Sequence, residues 1–572
     1  MTTLRVWAPN ATAAEVVTSA GRVPMRSEDR GWFSVEAPPE AADGYQFSLD
    51  GGPPRPDPRS PWQPDGIDRV SRPLDDGAFT WTDATWHGVH LPSSTVYELH
   101  VGTFSEAGTF DGVIDHLDHL VELGVDIVEL LPVAEFPGRR GWGYDGVQPY
   151  APHHAYGGPA GLARLVDACH NRGLGVVLDV VYNHLGPSGN HLPAFGPYFT
   201  DTYRTPWGDA VNVDGAGSDE VRRYLIDNAC HWLERYHLDG LRLDAVHAIF
   251  DMSALHVLEE LAAEVDALSA RVGRPLWLIA ESDRNDPRVV LPREAGGYGL
   301  HAQWSDDLHH AVHTLLTGEQ EGYYADYGTV AHLARALQDG WIYGRTWSPA
   351  RQRHHGKPAA GLPGWRFVVS TQNHDQVGNR ALGERLVHLT DVPRAKLAAG
   401  LVLLSPFVPM LFQGEEWGAS TPFLYFTDHP DPELGEAVRR GRREEFKDFV
   451  QPDDVPDPQD EATFRRSCLR WEERLGGEHA ELLAWYRRLL ALRRHAGLAA
   501  GPAGAHRVAF DEAERWLVLE RGRHRVVANL GPTPRRVPVG GAGEVVLASG
   551  PVELDGGDVL CPPWGLAVLV GP

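Results

Sequence analysis

The chain contains 572 residues, of which 42% are hydrophobic and 23% are charged. Its 52 Lys and Arg residues are outnumbered by 78 Asp and Glu residues, which gives a formal charge of −26 at pH 7. That charge disfavours nucleic acid, anionic membranes and polyphosphates as partners, so a neutral substrate is the better fit. A chain of this length predicts about three domains.

The first residues, MTTLRVW, lack the basic region and apolar run of a secretory signal peptide. No apolar stretch approaches the ~20 residues that a membrane-spanning helix needs. The four cysteines, Cys169, Cys230, Cys468 and Cys561, have no metal-ligand spacing, and we expect reduced thiols rather than disulfides. These features predict a cytoplasmic protein with no membrane partner.

Residues 1–90 are predicted to form an N-terminal β-sandwich, because short strand patterns alternate with turns. The predicted strands cover residues 4–8, 14–17, 32–36 and 45–49. Trp7, Trp32 and Trp62 are candidates for a glycan-binding platform, with core packing as the alternative for each.

Residues 91–498 show a repeating pattern of strand, loop and amphipathic helix, which is typical of a parallel sheet with helices outside it. Eight apolar strands are predicted, at residues 96–99, 127–131, 175–180, 240–243, 276–280, 300–304, 367–370 and 409–412. The clearest helices are predicted at 112–123, 158–172, 218–236, 253–272 and 479–495, the third with Ser218 as its N-cap. The fold class predicted from this count is α/β, a (β/α)8 TIM barrel.

Residues 499–572 are predicted to form a C-terminal all-β domain, because the helical patterns give way to short strand patterns. The strands are expected at residues 507–510, 516–520, 524–528, 545–548 and 566–570. The charged segment 429–446, punctuated by proline and glycine, is predicted to be a mobile surface excursion over the barrel.

Acidic residues stand at the ends of several predicted barrel strands. Asp179 lies at the end of the third strand, Asp244 follows the fourth, Glu281 follows the fifth and Asp375 comes after the seventh. Active sites in such barrels lie at the carboxyl ends of the strands, so these acids are expected to meet at one mouth. A barrel that needed only stability would not place acids there repeatedly. The sequence therefore predicts a catalytic site built from carboxylates.

Two carboxylates in different surroundings suit the retaining hydrolysis of a glycosidic bond, in which one attacks the sugar and the other donates a proton. Arg242 shares a strand face with Asp244 and favours its ionised form. Glu281 follows the apolar run LWLIA, which favours its protonated form and suits it as the acid. His184 and His374 are placed to hydrogen-bond sugar hydroxyls. A divalent-metal phosphatase or isomerase is the alternative, but no glycine-rich phosphate loop or lysine cluster accompanies the acids.

Four motifs resemble, in the same order, those of the α-amylase superfamily of retaining α-glucoside enzymes. They are DVVYNH at residues 179–184, GLRLD at 240–244, AESD at 280–283 and NHD at 373–375. The resemblance implies that Asp244 is the nucleophile, Glu281 the acid/base and Asp375 the group that stabilises the transition state. Further substrate-binding residues are expected in or beside the motifs: Asp179, His184, Arg242, His374, Gln376 and Tyr144, the last similar to the tyrosine that stacks on the sugar at the cleavage point.

Within the superfamily, the N-terminal region and residues 141–159 are similar to glycogen branching enzymes and to maltooligosyltrehalose trehalohydrolases. The run QNHDQVGN at residues 372–379 and the residues 281–286 resemble the trehalohydrolases, although Arg284 stands where an apolar residue is expected. This resemblance implies hydrolysis of the α-1,4 bond that joins trehalose to a maltooligosyl chain. The substrate is then a neutral α-glucan, maltooligosyltrehalose, supplied by a partner enzyme that makes it.

Three alternatives remain open: a branching transglycosylase, a general α-1,4-glucan hydrolase and a glycan-binding barrel without catalysis. Trp304, Asp306 and Asp307, after the sixth strand, are candidates for the trehalose side of the cleft, with ordinary packing as the alternative. No cofactor and no metal ion are expected, because the segment between His184 and Gly240 offers no six-oxygen cage for calcium.

Overall fold

A computed structural model of the chain describes residues 3–75, 77–359, 361–447, 451, 454–502, 504–541 and 543–571. Eight parallel strands at its centre close into a barrel in chain order, which confirms the predicted fold class. The strands are Val96–Leu99, Ile127–Leu130, Gly175–Val180, Gly240–Leu243, Trp277–Ala280, Ala302–Trp304, Phe367–Ser370 and Val408–Phe412. All but one of these strand residues are buried, because helices cover the outside and side chains fill the inside.

Helices connect the strands and surround the barrel. Their bounds are Val101–Phe104, Phe110–Ile114, Leu117–Leu123, Gly158–His170, Leu192–Phe195, Ser218–Arg235, Val257–Val272, Asp306–Thr317, Val330–Asp339, His374–Gly378, Leu386–Leu389, Val392–Leu403, Pro432–Phe446, Glu461–Arg466 and Gly477–His495. In the described part of the chain, none is long and apolar enough to cross a bilayer.

Three helix predictions were wrong, one in a missed break, one in its N-cap residue and one in its first residue, and local backbone conformation explains each difference. The stretch predicted as one helix at 112–123 is two helices, because His116 leaves the helical conformation with φ −113° and ψ 2°. Ser218 is not an N-cap: Gly217, with φ +79°, precedes the helix and Ser218 is its first residue. The helix predicted from 253 begins at Val257, because the ring of His256 accepts a bond from the backbone N–H of Leu258.

The N-terminal region contains two three-stranded antiparallel sheets. One consists of Thr3–Trp7, Trp32–Glu36 and Arg26–Ser27, and the other of Gly21–Pro24, Ala14–Thr18 and Gln46–Leu49. Trp7 is buried in the core, and its indole nitrogen donates to the backbone oxygen of Arg30. Trp32 is covered by the guanidinium groups of Arg5 and Arg59. A three-tryptophan platform therefore does not form.

The C-terminal region is all-β, as predicted. A five-stranded sheet is built from His506–Asp511, Trp516–Arg521, His524–Asn529, Leu566–Val570 and Glu544–Ala548, and a three-stranded sheet from Arg535–Pro538, Asp558–Cys561 and Glu553–Asp555. Both sheets contribute residues to one apolar core, which includes Val518 and Val527 from the first and Val537 and Val559 from the second.

Three antiparallel pairs of short strands lie in the loops between barrel strands. They are Ala134–Glu135 with Gln148–Pro152, Phe199–Thr205 with Gly208–Val211, and Thr346–Ser348 with Arg353–His355. The segment predicted as a mobile excursion contains the helix Pro432–Phe446 instead. Arg442 on this helix donates to the backbone oxygen of Gly378 at 2.6 Å, so the helix is anchored beside the helix His374–Gly378. All four cysteines are free thiols, as expected.

Candidate active site

The carboxyl ends of the barrel strands bring the predicted acids to one mouth. Strand pairing sets Asp179 beside Arg242 and Leu243 beside Ala280, so Asp244 and Glu281 follow neighbouring strands at the same height. Asp375 lies in the short helix after the seventh strand, and Asn373 begins that helix with a capping box.

Arg242 is fully buried at the centre of this group and contacts three of the acids. Its Nη1 donates to Asp179 Oδ2 at 2.6 Å and to Asp244 Oδ1 at 2.8 Å. Its Nη2 lies 2.9 Å from Glu281 Oε2 and forms an ion pair with it. Burial alone would lower the pKa of Arg242, but the charges of Asp179 and Glu281 outweigh burial and raise that pKa. The guanidinium group is therefore a permanent cation in contact with three acids.

The two central carboxylates have different partners. Asp244 is buried, and while Oδ1 accepts from Arg242, Oδ2 accepts from Asn183 Nδ2 at 2.7 Å. Glu281 Oε2 accepts from the backbone N–H of Ala245 at 2.8 Å, whereas the described part of the chain supplies no hydrogen bond to Oε1. Ala245 has φ +38°, a left-handed conformation that costs a non-glycine residue about 1–3 kcal/mol. This strained turn directly after Asp244 aims the Ala245 N–H at Glu281.

His374 is a buried ring between two carboxylates. Its Nδ1 donates to Glu98 Oε1 at 2.6 Å, and its backbone N–H donates to Glu98 Oε2 at 3.0 Å. On the other side of the ring, Nε2 lies 3.5 Å from Asp375 Oδ1. Burial would lower the pKa of His374, but Glu98 and Asp375 outweigh it and raise the pKa to about 9. His374 is therefore a cation at neutral pH.

Glu98 was not singled out from the sequence, although a signal was present. It stands in the first barrel strand, VYEL, whose other residues are uncharged. A carboxylate in a strand that is buried on both faces needs a partner inside the barrel, and that partner is His374.

Tyr144 joins His374 to Asp179. The Tyr144 hydroxyl donates to Asp179 Oδ2 at 2.6 Å and accepts from His374 Nε2 at 2.7 Å. Its ring lies nearly parallel to the imidazole of His374, with 5.2 Å between ring centres. Burial raises the pKa of Asp179 to about 7, although Arg242 opposes the shift. The tyrosine is fixed on two sides before any sugar binds.

Both ring nitrogens of His184 lie next to protein oxygens. Nδ1 donates to Asn183 Oδ1 at 2.5 Å, and Nε2 lies 3.1 Å from the backbone oxygen of Tyr144. The ring of Trp207 stacks on His184 with 4.4 Å between centres, and Trp207 itself is 51% exposed. His184 thus holds Asn183, which contacts Asp244, and Trp207 is an exposed aromatic residue that was not identified from the sequence.

Trp304 and Asp307 face protein groups. Trp304 is 3% exposed, and its ring centre lies 4.1 Å from the guanidinium carbon of Arg242. Asp307 Oδ1 accepts from the Tyr327 hydroxyl at 2.7 Å, and Oδ2 accepts from Asn285 Nδ2 at 3.0 Å. For both residues these contacts favour packing, the alternative that the sequence left open.

Asp306 and Gln376 lie close to the catalytic candidates. Gln376 Nε2 donates weakly to Asp306 Oδ1 at 3.4 Å. Burial and the charges of Glu281 and Asp375 raise the pKa of Asp306 to about 8. At neutral pH Asp306 is therefore mainly a protonated carboxyl group, and its acidic neighbours are Glu281 and Asp375.

Among the described residues, one group of side chains has the spacing of metal ligands: Glu135, His153 and His154. Glu135 accepts from the backbone N–H of His154 at 2.8 Å and from its ring Nδ1 at 2.7 Å. His153 Nδ1 accepts from the backbone N–H of Ala155, and burial lowers the pKa of His153 well below its ordinary value. The neutral ring then carries its proton on Nε2 and has no lone pair there for a metal. We assign this cluster to hydrogen bonding.

Known proteins resemble the chain over nearly its whole length. Residues 79–193 match the family described as alpha amylase, catalytic domain, and residues 502–568 match a domain of unknown function, DUF3459. The malto-oligosyltrehalose trehalohydrolase of Arthrobacter ramosus is 53% identical over 564 residues, which cover 96% of this chain and 97% of that enzyme. The chain belongs to the malto-oligosyltrehalose trehalohydrolase family. The family member from Saccharolobus solfataricus is 43% identical over 520 residues, 91% of this chain and 89% of that one.

Other relatives share less of the chain or less of its sequence. A 1,4-alpha-glucan branching enzyme from Pseudoalteromonas atlantica is 28% identical and covers only 54% of this trehalohydrolase-family chain and 49% of its own. A solved structure of a protein from Salmonella typhimurium superposes with a TM-score of 0.91 at 38% identity, covering 99% and 97% of the two chains. Pullulanase from Paenibacillus barengoltzii, at 21% identity, superposes with a TM-score of 0.72 over 100% and 92%. The last similarity is one of fold alone.

Proposed function

We propose that the protein is a retaining glycoside hydrolase that cleaves the α-1,4 bond joining trehalose to the end of a maltooligosyl chain. One observation in the site carries the reaction type: Asp244 and Glu281, from neighbouring strands, contact the same buried guanidinium group. Two carboxyl groups held this close suit a double displacement through a covalent intermediate. The trehalohydrolase relatives support the choice of substrate.

In the first step, Glu281 donates a proton to the glycosidic oxygen while Asp244 attacks the anomeric carbon. The bond to trehalose breaks, and an ester forms between the maltooligosyl chain and Asp244. Oε1 of Glu281 carries the proton, because Oε2 is held by Ala245 and Arg242. In the second step, a water molecule gives a proton to Glu281 and attacks the same carbon, which releases Asp244 and restores the original configuration.

The surrounding residues prepare the sugar and the nucleophile for this reaction. Arg242 and Asn183 each donate a hydrogen bond to one carboxylate oxygen of Asp244 and so fix its orientation. Asp375, whose side chain is 40% exposed, accepts bonds from the 2- and 3-hydroxyls, and the Tyr144 ring stacks on the sugar. His374 donates to Tyr144 and balances the charge of Asp375, while His184 positions Asn183. Gln376 and Asp306 complete the wall beside Asp375.

Product analysis tests the proposal. The protein is incubated with maltooligosyltrehalose and, separately, with amylose. Free trehalose from the first substrate, with no new α-1,6 branches in the second, is the expected result. New branches would assign the chain to branching enzymes instead, and an absence of turnover on either substrate would leave only glycan binding.

The preference for a trehalose end provides a quantitative prediction. Polar groups that pair with the terminal glucose of trehalose are left unpaired by other chain ends, which rejects those substrates. We expect kcat/KM for maltooligosyltrehalose to be at least roughly tenfold above that for a maltooligosaccharide of equal length, the low end of what such pairing supplies. Equal kcat/KM values for the two substrates, measured under the same conditions, would mean that the protein is a general α-1,4-glucan hydrolase.

The substrate also implies a partner reaction. A second enzyme has to convert the reducing-end glucose of a maltooligosaccharide into an α,α-1,1-linked unit before this one acts. Amylose should therefore yield trehalose only when both activities are present. We propose a cytoplasmic location for this pair, which cell fractionation would test, and no role for nucleic acid, since the charge of −26 opposes it.

A further inference from the structure

A cavity of about 570 Å³ lies outside the barrel mouth, and none of the candidate catalytic residues lines it. One wall is formed by the segment that leads from the N-terminal sheets to the barrel. The other wall is formed by the beginning of helix Gly158–His170 and the end of helix Ser218–Arg235. Its volume falls within the range of ligand sites, roughly 300–1,000 Å³.

Three partly exposed aromatic side chains line this cavity: Trp62, Phe79 and Trp81. Trp81 stacks on His237 with 3.8 Å between ring centres, and Asp83 fixes His237 through a bond of 2.8 Å. Trp81 lines the cavity, whereas His237 does not. Phe79 meets Trp81 edge-on at 5.0 Å. These rings are therefore held in place without a ligand, which lowers the entropic cost of binding one.

Trp62 is held just as firmly. It lies across Gly158, which has φ +59°, and a Cβ atom at that position would come within 2.3 Å of the indole ring. Only glycine allows the ring to lie this close to the helix. Of the three tryptophans considered for glycan binding from the sequence, Trp62 is the one that lines this cavity.

The charged groups of the cavity indicate what kind of ligand it takes. Asp75 and Glu234 are exposed on its walls, Arg235 is partly exposed there, and Glu234 is already paired with Arg271 at 2.9 Å. With Arg235 beside two carboxylates the cavity has little net charge, and the charge of −26 on the whole chain disfavours phosphates and other anions. A neutral sugar chain offers flat apolar faces for the rings and hydroxyl groups for the carboxylates.

We propose that this cavity is a second binding site for a neutral α-1,4-glucan chain. It would hold long substrate chains on the enzyme while their ends reach the mouth, which raises the local concentration of ends. The identity of the glycan rests on the proposed function, whereas the presence of a sugar site rests on the rings and carboxylates of the cavity itself.

Electrophoresis in native gels that contain amylopectin tests this proposal, with dextran gels as the reference. Ala160 is an exposed cavity residue, so Ala160→Arg blocks the space without removing a core contact. Ala267→Arg, on the exposed face of helix Val257–Val272, is the matched control. Loss of stacking on two rings predicts an apparent Kd for amylopectin at least about tenfold weaker in Ala160→Arg, and unchanged in the control. Trp81→Ala should weaken binding in the same direction.

Hydrolysis of a short maltooligosyltrehalose is measured in parallel and should be unchanged in Ala160→Arg. Equal gel retardation of Ala160→Arg and the wild-type protein would overturn the second site, whatever the enzyme hydrolyses. A change in oligomeric state in Ala160→Arg, with glucan binding unaffected, would overturn it in favour of contact with a second copy. If amylopectin retards the wild-type protein more than Ala160→Arg, and the wild-type protein releases no trehalose, the second site is supported and the proposed substrate is rejected.

Discussion

At the scale of single residues, Asp244 and Glu281 divide the proposed reaction into two halves. Asp244→Asn removes the nucleophile and Glu281→Gln removes the proton donor, and each keeps the size of the side chain. We expect kcat to fall roughly 10³-fold or more in both variants, since comparable losses follow removal of a catalytic group elsewhere. Circular dichroism should be unchanged.

An activated substrate separates the two roles. A maltosyl fluoride needs no proton from Glu281, because fluoride is a good leaving group. Glu281→Gln should therefore accumulate a covalent maltosyl adduct on Asp244, visible by mass spectrometry, whereas Asp244→Asn should show none. Near-native kcat in either variant, or an adduct on another residue, would refute the assignment.

Glu98 acts on the site through His374, and Glu98→Gln tests that coupling. In the wild-type protein the pKa of His374 is raised to about 9, mainly by Glu98 against the effect of burial. Without the Glu98 charge, burial dominates and the ring loses its proton at lower pH. The alkaline limb of kcat/KM, expected near pH 9 in the wild-type protein, should move towards acid in the variant.

The free energy of unfolding should also depend on pH through the protonation of His374. A histidine whose pKa is raised on folding stabilises the folded protein below its ordinary value of about 6.5, and this contribution is lost as the pH rises through about 9. Glu98→Gln should remove that pH dependence. Glu129→Gln is the matched control: Glu129 lies opposite Glu98 on the neighbouring strand, and the variant changes a second buried glutamate while leaving the bond between Glu98 and His374 in place. Identical pH profiles for Glu98→Gln and the wild-type protein would contradict the coupling.

At the scale of elements, Asp307 connects two loops at the barrel mouth. It accepts from the backbone N–H of Ile342, which leads to the strand pair Thr346–Ser348 and Arg353–His355, and from Asn285 in the loop after Glu281. Asp307→Ala leaves these buried donors without a partner, at about 1–3 kcal/mol each. We expect faster hydrogen exchange at Ile342 and a lower melting temperature.

The exposed residue Asp339 supplies the control for this experiment, since Asp339→Ala should change the melting temperature little. The result also separates two interpretations of Asp307. A higher KM with unchanged hydrogen exchange would mean that Asp307 binds substrate, as the sequence first suggested, and that its contacts to the loops are unimportant.

The elements differ in how far their sequence determines them. The barrel strands were predictable because a strand buried on both faces is a mainly apolar run such as WLIA or VPMLF, and the acids at the strand ends could be read directly. The break at His116 was not predictable, because apolar residues keep the helical spacing on both sides of it. Capping decides such breaks, and several residues near a helix start can serve as a cap.

Within the site, the sequence identified residues that lie at strand ends but not the directions of all their side chains. Trp304 ends the sixth barrel strand and Asp307 lies just beyond it, yet the Trp304 ring packs against Arg242 and the Asp307 carboxylate accepts from Asn285 and Tyr327. Glu98 and Trp207 depend on partners more than 20 positions away, His374 and His184 respectively. Contacts of this kind are set by packing between elements, which local spacing does not encode.

At the scale of the whole molecule, one buried arginine joins the C-terminal sheets to the barrel. Arg521 Nη1 donates to the backbone oxygens of Leu404 at 3.0 Å, Ser405 at 2.8 Å and Leu498 at 2.8 Å. These carbonyl groups follow the helices Val392–Leu403 and Gly477–His495, so the arginine replaces the donors that helix ends lack. The attachment of the C-terminal region therefore depends on a side chain with several donors in a rigid arrangement.

Arg521→Met tests this attachment, because it keeps the length of the side chain and removes every donor. The free energy of local opening of the C-terminal sheets should fall by about 3 kcal/mol, since the carbonyl oxygens of Leu404, Leu498 and Ala499 lose their donor, whereas that of Ser405 keeps Arg493. Hydrogen exchange should accelerate in the strand His524–Asn529 but not in the barrel strands, and kcat/KM should be unchanged because the mouth lies elsewhere. The exposed neighbour Arg523 provides the control Arg523→Met, for which no change is expected. Faster exchange in the barrel strands of Arg521→Met would show instead that the sheets and the barrel unfold as one cooperative unit.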